Sequence, residues 1–145
     1  MKRNYNFLLI LIFFLSGCIA SYEKKDYIII NDEKIALEIS TSDEEIEKGL
    51  SGRTKLAEKK GMLFVFEDYQ IRSFWMKDML FPIDIVWIKD QEVVGIEKNI
   101  KPSAENGLII YNSPLPVNYV LELNAGVSDK KNIKKGDYLN IKLKK

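Results

Sequence analysis

The strongest constraint on this chain is a succession of short β-patterned runs, spaced too closely for helices to cross repeatedly between them. From the middle of the sequence they read Met62 to Phe66, Ser73 to Lys77, Ile83 to Ile88, Val93 to Ile100, Leu108 to Tyr111, Tyr119 to Asn124 and Tyr138 to Leu143. They are rich in β-branched and aromatic residues, which suit a pleated, half-buried surface. Parallel neighbours need crossovers of a dozen or more residues, so the spacing predicts mostly antiparallel pairing. The expected fold is mainly β with a minor α component, a compact antiparallel sandwich or barrel-like domain with one or two short helices.

Upstream, Tyr27 to Ile30 and Ile35 to Ile39 flank Asn31-Asp32-Glu33-Lys34, the pattern of a hairpin whose face carries Ile35, Leu37 and Ile39. A short helix is expected next. Ser42 can cap it, Glu45 three residues on completes a capping box, and Gly49 stops it early.

Composition narrows the chemistry. Lys plus Arg number 22 against 21 Asp plus Glu, which leaves no basic excess for a polyphosphate backbone, and nucleic acid is not an expected partner. The chain has no His, which removes Ser-His-Asp and Cys-His arrangements and every His-based metal site. No catalytic residue, metal or cofactor is therefore assigned. Met62, Met76 and Met79 carry soft thioether sulfur, but Met62 and Met76 stand in aromatic-rich strands where Met fills gaps.

The single cysteine follows Lys2, Arg3, the apolar run Phe7 to Leu15 and Ser16-Gly17, and the whole segment resembles a bacterial lipoprotein signal. Its apolar run is well short of the roughly 20 residues of a spanning helix. Residues 1–17 are read as the signal, 18–25 as a tether lipidated at Cys18, and 26–145 as one β-rich domain. Loss of Lys2 and Arg3 changes the formal charge from +1 to −1, so acyl chains rather than basic charge would supply membrane attachment. The expected location is the cell envelope, in the outer membrane or the outer leaflet of the cytoplasmic membrane, and an Ile rather than an Asp after Cys18 leans toward the former.

Several clusters recur in order: Glu47-Lys48-Gly49-Leu50 with Arg53 and Leu56, Gly61 to Phe66, Phe74-Trp75-Met76-Lys77, Pro82 with Asp84, Val120 to Gly126, and Gly136-Asp137. Together they resemble the family called domain of unknown function 192 over roughly Ile35 to Leu143. Asp78 and Met79 stand where that family commonly has Asn and Thr, and Lys48 where it has Arg. The resemblance implies a compact, mostly β domain with a helix after the first hairpin, and no established activity.

Strand alternation places Asp84 with Val86 and Ile88, and Glu122 with Val120 and Asn124, on largely apolar faces. A carboxylate there needs a partner, and Arg53 is the expected one for either. The candidate polar cluster is Arg53, Trp75, Lys77, Asp84, Glu122 and Asn124, either a structural network or a ligand site with Trp75 as stacking platform. The expected function is a non-catalytic, envelope-facing binding or structural module, with an envelope glycan or a protein as partner. The alternative is a carbohydrate-active enzyme using Asp84 and Glu122 as its carboxylate pair. The signal yields one direct test: Cys18→Ser is expected to release the domain from membranes and abolish fatty-acid labelling, and equal labelling of both forms would contradict it.

Overall fold

The computed structural model describes residues 25–103 and 109–144, so the signal, Cys18, most of the tether and Leu108 lie outside the described residues. The elements in chain order are β1 (Tyr27–Ile30), β2 (Glu33–Ser40), α1 (Asp43–Lys48), β3 (Lys60–Gln70), β4 (Ser73–Trp75), β5 (Ile83–Lys89), β6 (Glu92–Ile100), β7 (Ile110–Asn112), β8 (Val117–Asn124), α2 (Val127–Lys130) and β9 (Asn140–Lys142). Seven strands form one sheet in the order β6-β5-β8-β3-β2-β1-β9, which curls into a half-barrel, while β4 and β7 form a separate two-stranded ribbon. The mainly β architecture with two short helices is the one the sequence pattern leads to.

Pairing is antiparallel except between β2 and β3, where Ala36 to Ser40 run alongside Lys60 to Phe64. This is where the sequence provides a connection long enough for a crossover, and α1 lies in it. The helix is held as its residues predict. Ser42 Oγ accepts from Glu45 N at 3.3 Å, while Glu45 Oε2 accepts from Ser42 N at 3.2 Å and Thr41 N at 3.0 Å. Those backbone donors, Thr41 first, hold the Glu45 carboxyl below the usual carboxylate range. Gly49 closes the helix at φ 44°, and a Cβ there would lie 3.2 Å from the Phe64 ring, so the turn needs glycine for both backbone and space.

The central strands are buried on both faces, which creates two cores. One face carries Met62, Phe64, Ile83, Ile85, Trp87 and Val120, roofed by Leu50, Leu56, Phe74, Met76 and Met79. The other carries Leu63, Val86, Ile88, Leu121 and Leu123, closed by Ile28, Ile30 and Ile35 as the sheet curls and by Ile133 and Leu139. Met62, Met76 and Met79 thus belong to the apolar packing of the first face. Among the described residues no helix is long and apolar enough to cross a membrane.

Asp84 is fully buried on the second face and is satisfied there without Arg53. Its carboxylate accepts from Asn99 N at 2.8 Å, Gly126 N at 3.2 Å, Ser128 N at 2.9 Å and Ser128 Oγ at 2.7 Å. Two of those donors belong to residues at positive φ, Asn99 at 52° and Gly126 at 82°. The carboxylate therefore ties the end of β6 to the start of α2. The expectation of an Arg53–Asp84 ion pair is corrected: backbone amides do the work assigned to the guanidinium.

Candidate functional site

A cavity of about 430 Å³ opens on the first face of the sheet, between α1 and β4. That volume is in the range of small-molecule sites, roughly 300–1,000 Å³. Ile46 of α1 and Leu50 of the loop that follows it form one wall. Phe64 and Phe66 of β3 are two apart on one strand and extend it. Opposite them, Phe74 packs edge-on to Phe64, with centroids 4.9 Å apart and planes at 81°, and Trp75 lines the cavity while remaining 37% exposed. Arg72 lies over the Phe66 ring, 3.8 Å from its centroid, and is held by Asp68 through both the carboxylate and the carbonyl.

Glu122 lines the same cavity from β8. Its register partners are Met62 on β3 and Ile85 on β5, so its carboxyl sits between two apolar neighbours on a central strand. The residue is 5% exposed, and among the described residues no hydrogen bond reaches its buried Oε2. Burial pushes its pKa up from 4.5 to about 8, with the positive charge of Arg53 offsetting only part of the effect. An ionised carboxylate in this setting would carry a large desolvation cost, so Glu122 keeps its proton at neutral pH.

The expected cluster is divided among several places. Trp75 and Glu122 share the cavity. Arg53 does not pair with Glu122: its Nη1 donates to Glu38 Oε2 at 2.6 Å, while Lys60 reaches Glu38 Oε1 at 3.1 Å. Burial would raise the Glu38 carboxyl, but these two hydrogen bonds outweigh it and hold Glu38 below the ordinary range. The Arg53 side chain is 40% exposed, and a pair so open to water is worth about 0–1 kcal/mol. Lys77 is exposed, stands beyond β4, which ends at Trp75, and does not line the cavity. Asn124 donates to Leu56 O at 3.1 Å and pins the loop before β3.

The proposed carboxylate pair also fails. Asp84 lies opposite Leu123 and Glu122 opposite Ile85 in the β5–β8 register, which puts the two carboxyls on opposite faces of the sheet. They do not flank a common cleft, and a glycosidase pairing of Asp84 with Glu122 is ruled out by this geometry. Sequence reasoning missed Ile46, Leu50, Phe66 and Arg72 as cavity walls. A signal was present for Phe66 in its alternation with Phe64 along β3, whereas Leu50 lies past the helix stop at Gly49, where helical spacing no longer applies.

The curled β sheet with its short capped helix and one-sided cavity defines a small β-rich domain of the half-barrel type. The chain matches the family model DUF192, described as "Uncharacterized ACR", over residues 27–141, and it belongs to that family, domain of unknown function 192. It is similar in structure to a protein from Sinorhizobium meliloti 1021 provisionally described as a transcription regulator, with 31% identity, TM-score 0.72, and coverage of 81% of this chain and 92% of that one. A protein of unknown function from Novosphingobium aromaticivorans DSM 12444 matches at 28% identity and TM-score 0.70, covering 80% and 83% of the two chains. Among proteins with curated functions, none matches the chain.

The protonated Glu122 makes stability depend on pH with a definite sign. Above 4.5 the unfolded chain releases this proton while the folded chain keeps it to about 8, so the folded state binds more protons across that window. The contribution of Glu122 is fully present below 4.5 and is lost as pH rises toward 8. Relative to Glu122→Gln, the wild type is expected to lose up to about 1.4 kcal/mol per pH unit across that interval. Denaturant unfolding of both forms at several pH values checks it, and a pH-independent difference would contradict it.

Proposed function

We propose that the protein is a lipid-anchored envelope protein whose domain binds a small, largely apolar ligand in the cavity between α1 and β4, as a binding module rather than a catalyst. The observation that carries this reading is the 430 Å³ cavity lined by a buried carboxyl whose Oε2 has no partner among the described residues. A buried polar group left unpaired costs about 1–3 kcal/mol, and a cavity-facing one is satisfied most directly by something that enters the cavity. A purely architectural role gives no reason to keep either the space or the orphan group.

Anchoring at Cys18 rests on the sequence signal, and the balanced charge of the domain agrees with attachment by acyl chains. The apolar and aromatic walls favour an apolar body over a bare glycan, which would need more hydrogen-bonding groups than this lining offers. Nucleic acid stays outside the proposal despite the regulator description of one relative, since basic and acidic side chains are nearly equal in number.

The test uses the neutral fluorescent probe N-phenyl-1-naphthylamine. Saturable binding, with energy transfer from Trp75, is expected. Ile46→Trp, which fills the cavity from α1, is expected to weaken binding by about tenfold or more while the unfolding midpoint stays close to that of wild type. Unsaturable binding, or binding unchanged in a well-folded Ile46→Trp protein, would contradict the proposal.

A further inference from the structure

The chemistry of the cavity narrows the class of ligand beyond its being apolar, and the inference rests on the binding reading above. Two features of the lining have different requirements. Among the described residues the buried Oε2 of Glu122 has no donor, and Arg53, the cation whose charge it feels, is paired with Glu38. Around the Glu122 carboxyl stand Phe64, Phe66, Phe74 and Trp75, whose ring faces carry negative potential. The protein already seats one cation on this aromatic lining, since the Arg72 guanidinium lies 3.8 Å from the Phe66 centroid. That cation is engaged by Asp68, and Arg53 is engaged by Glu38, so both guanidinium groups nearest the site are bound to other carboxylates.

The remaining ionisable lining favours the same sign of ligand. Asp43, Glu47 and Lys48 of α1 line the cavity with Glu122 and Arg72, so acidic groups exceed basic ones once Asp68 is set against Arg72. The strands flanking Glu122 present Met62 and Ile85, neither charged. An anionic ligand would meet Glu122, Asp43 and Glu47, whereas a neutral apolar ligand would leave the carboxyl unpaired.

We propose that the cavity takes a small organic amine, its ammonium group seated on the Glu122 carboxylate and its apolar body held among Phe64, Phe66, Phe74 and Trp75. The exchange balances simply. The ammonium keeps its proton, Glu122 gives its own to solvent, and a neutral acid in an empty cavity becomes one half of an ion pair enclosed by aromatic rings. Affinity for the amine therefore rises with pH by about tenfold per unit below the Glu122 midpoint, because the carboxylate form is the one that binds.

Isothermal titration calorimetry with 2-phenylethylamine and its neutral counterpart 2-phenylethanol tests this on the purified protein. At neutral pH the amine is expected to bind about tenfold or more tightly than the alcohol, with about one proton released per amine bound. Glu122→Gln is expected to remove that preference and the proton release while still binding the alcohol. Equal affinities, or an amine preference that survives in Glu122→Gln, would overturn the cation assignment and leave the cavity as a binding site. If neither compound binds while N-phenyl-1-naphthylamine does, the amine class alone falls; if the naphthylamine also fails, the binding reading falls with it.

Discussion

The structure turns on a sheet whose central strands β3, β5 and β8 are buried on both sides. Alternation along each strand then sends neighbouring residues into different cores, and a polar residue at any central position must be satisfied by whatever roofs its own face. Over Asp84 the second face is closed by the end of β6 and the start of α2. These bring three backbone N–H groups and the Ser128 hydroxyl onto Asp84, which consequently serves as an internal tie. On the first face the roof is made of side chains, from α1 and its following loop and from the β4–β7 ribbon, and among the described residues none donates to Glu122 Oε2.

That contrast separates architecture from function. Two carboxyls, both nearly inaccessible, differ in whether the fold completes their hydrogen bonding. The completed one is explained by the packing it secures. The incomplete one lies beside space that the protein could have filled with a larger side chain from Ile46 or Leu50 and does not. Burial raises the pKa of Glu122 without unfolding the domain because losing the charge is less costly than desolvating it.

Local rules in the sequence were legible and non-local ones were not. The capping box at Ser42 and Glu45, the stop at Gly49 and the β runs each depend on a few consecutive residues, and they stand in the structure close to where the pattern puts them. The apolar surroundings of Asp84 and Glu122 were readable from alternation alone. Their partners were not, because backbone amides leave no mark in side-chain identity and because the β5–β8 register decides which face each residue reaches. Arg53 found Glu38 for the same reason: the parallel pairing that sets Glu38 beside Met62 is invisible in a linear pattern. Lys77 stands past the end of β4, exposed and outside the cavity lining, a limit that the run Ser73 to Lys77 does not mark.

The central claim is that Glu122 is an uncharged acid held in the lining of a cavity, and the carboxyl itself reports on it. Carbon-13 NMR of glutamate-labelled protein, with the Glu122 resonance assigned by its loss in Glu122→Gln, follows its titration directly. The account predicts a protonated carboxyl at neutral pH that titrates near 8. A Glu122 already ionised at neutral pH, with a midpoint near the ordinary 4.5, would contradict it.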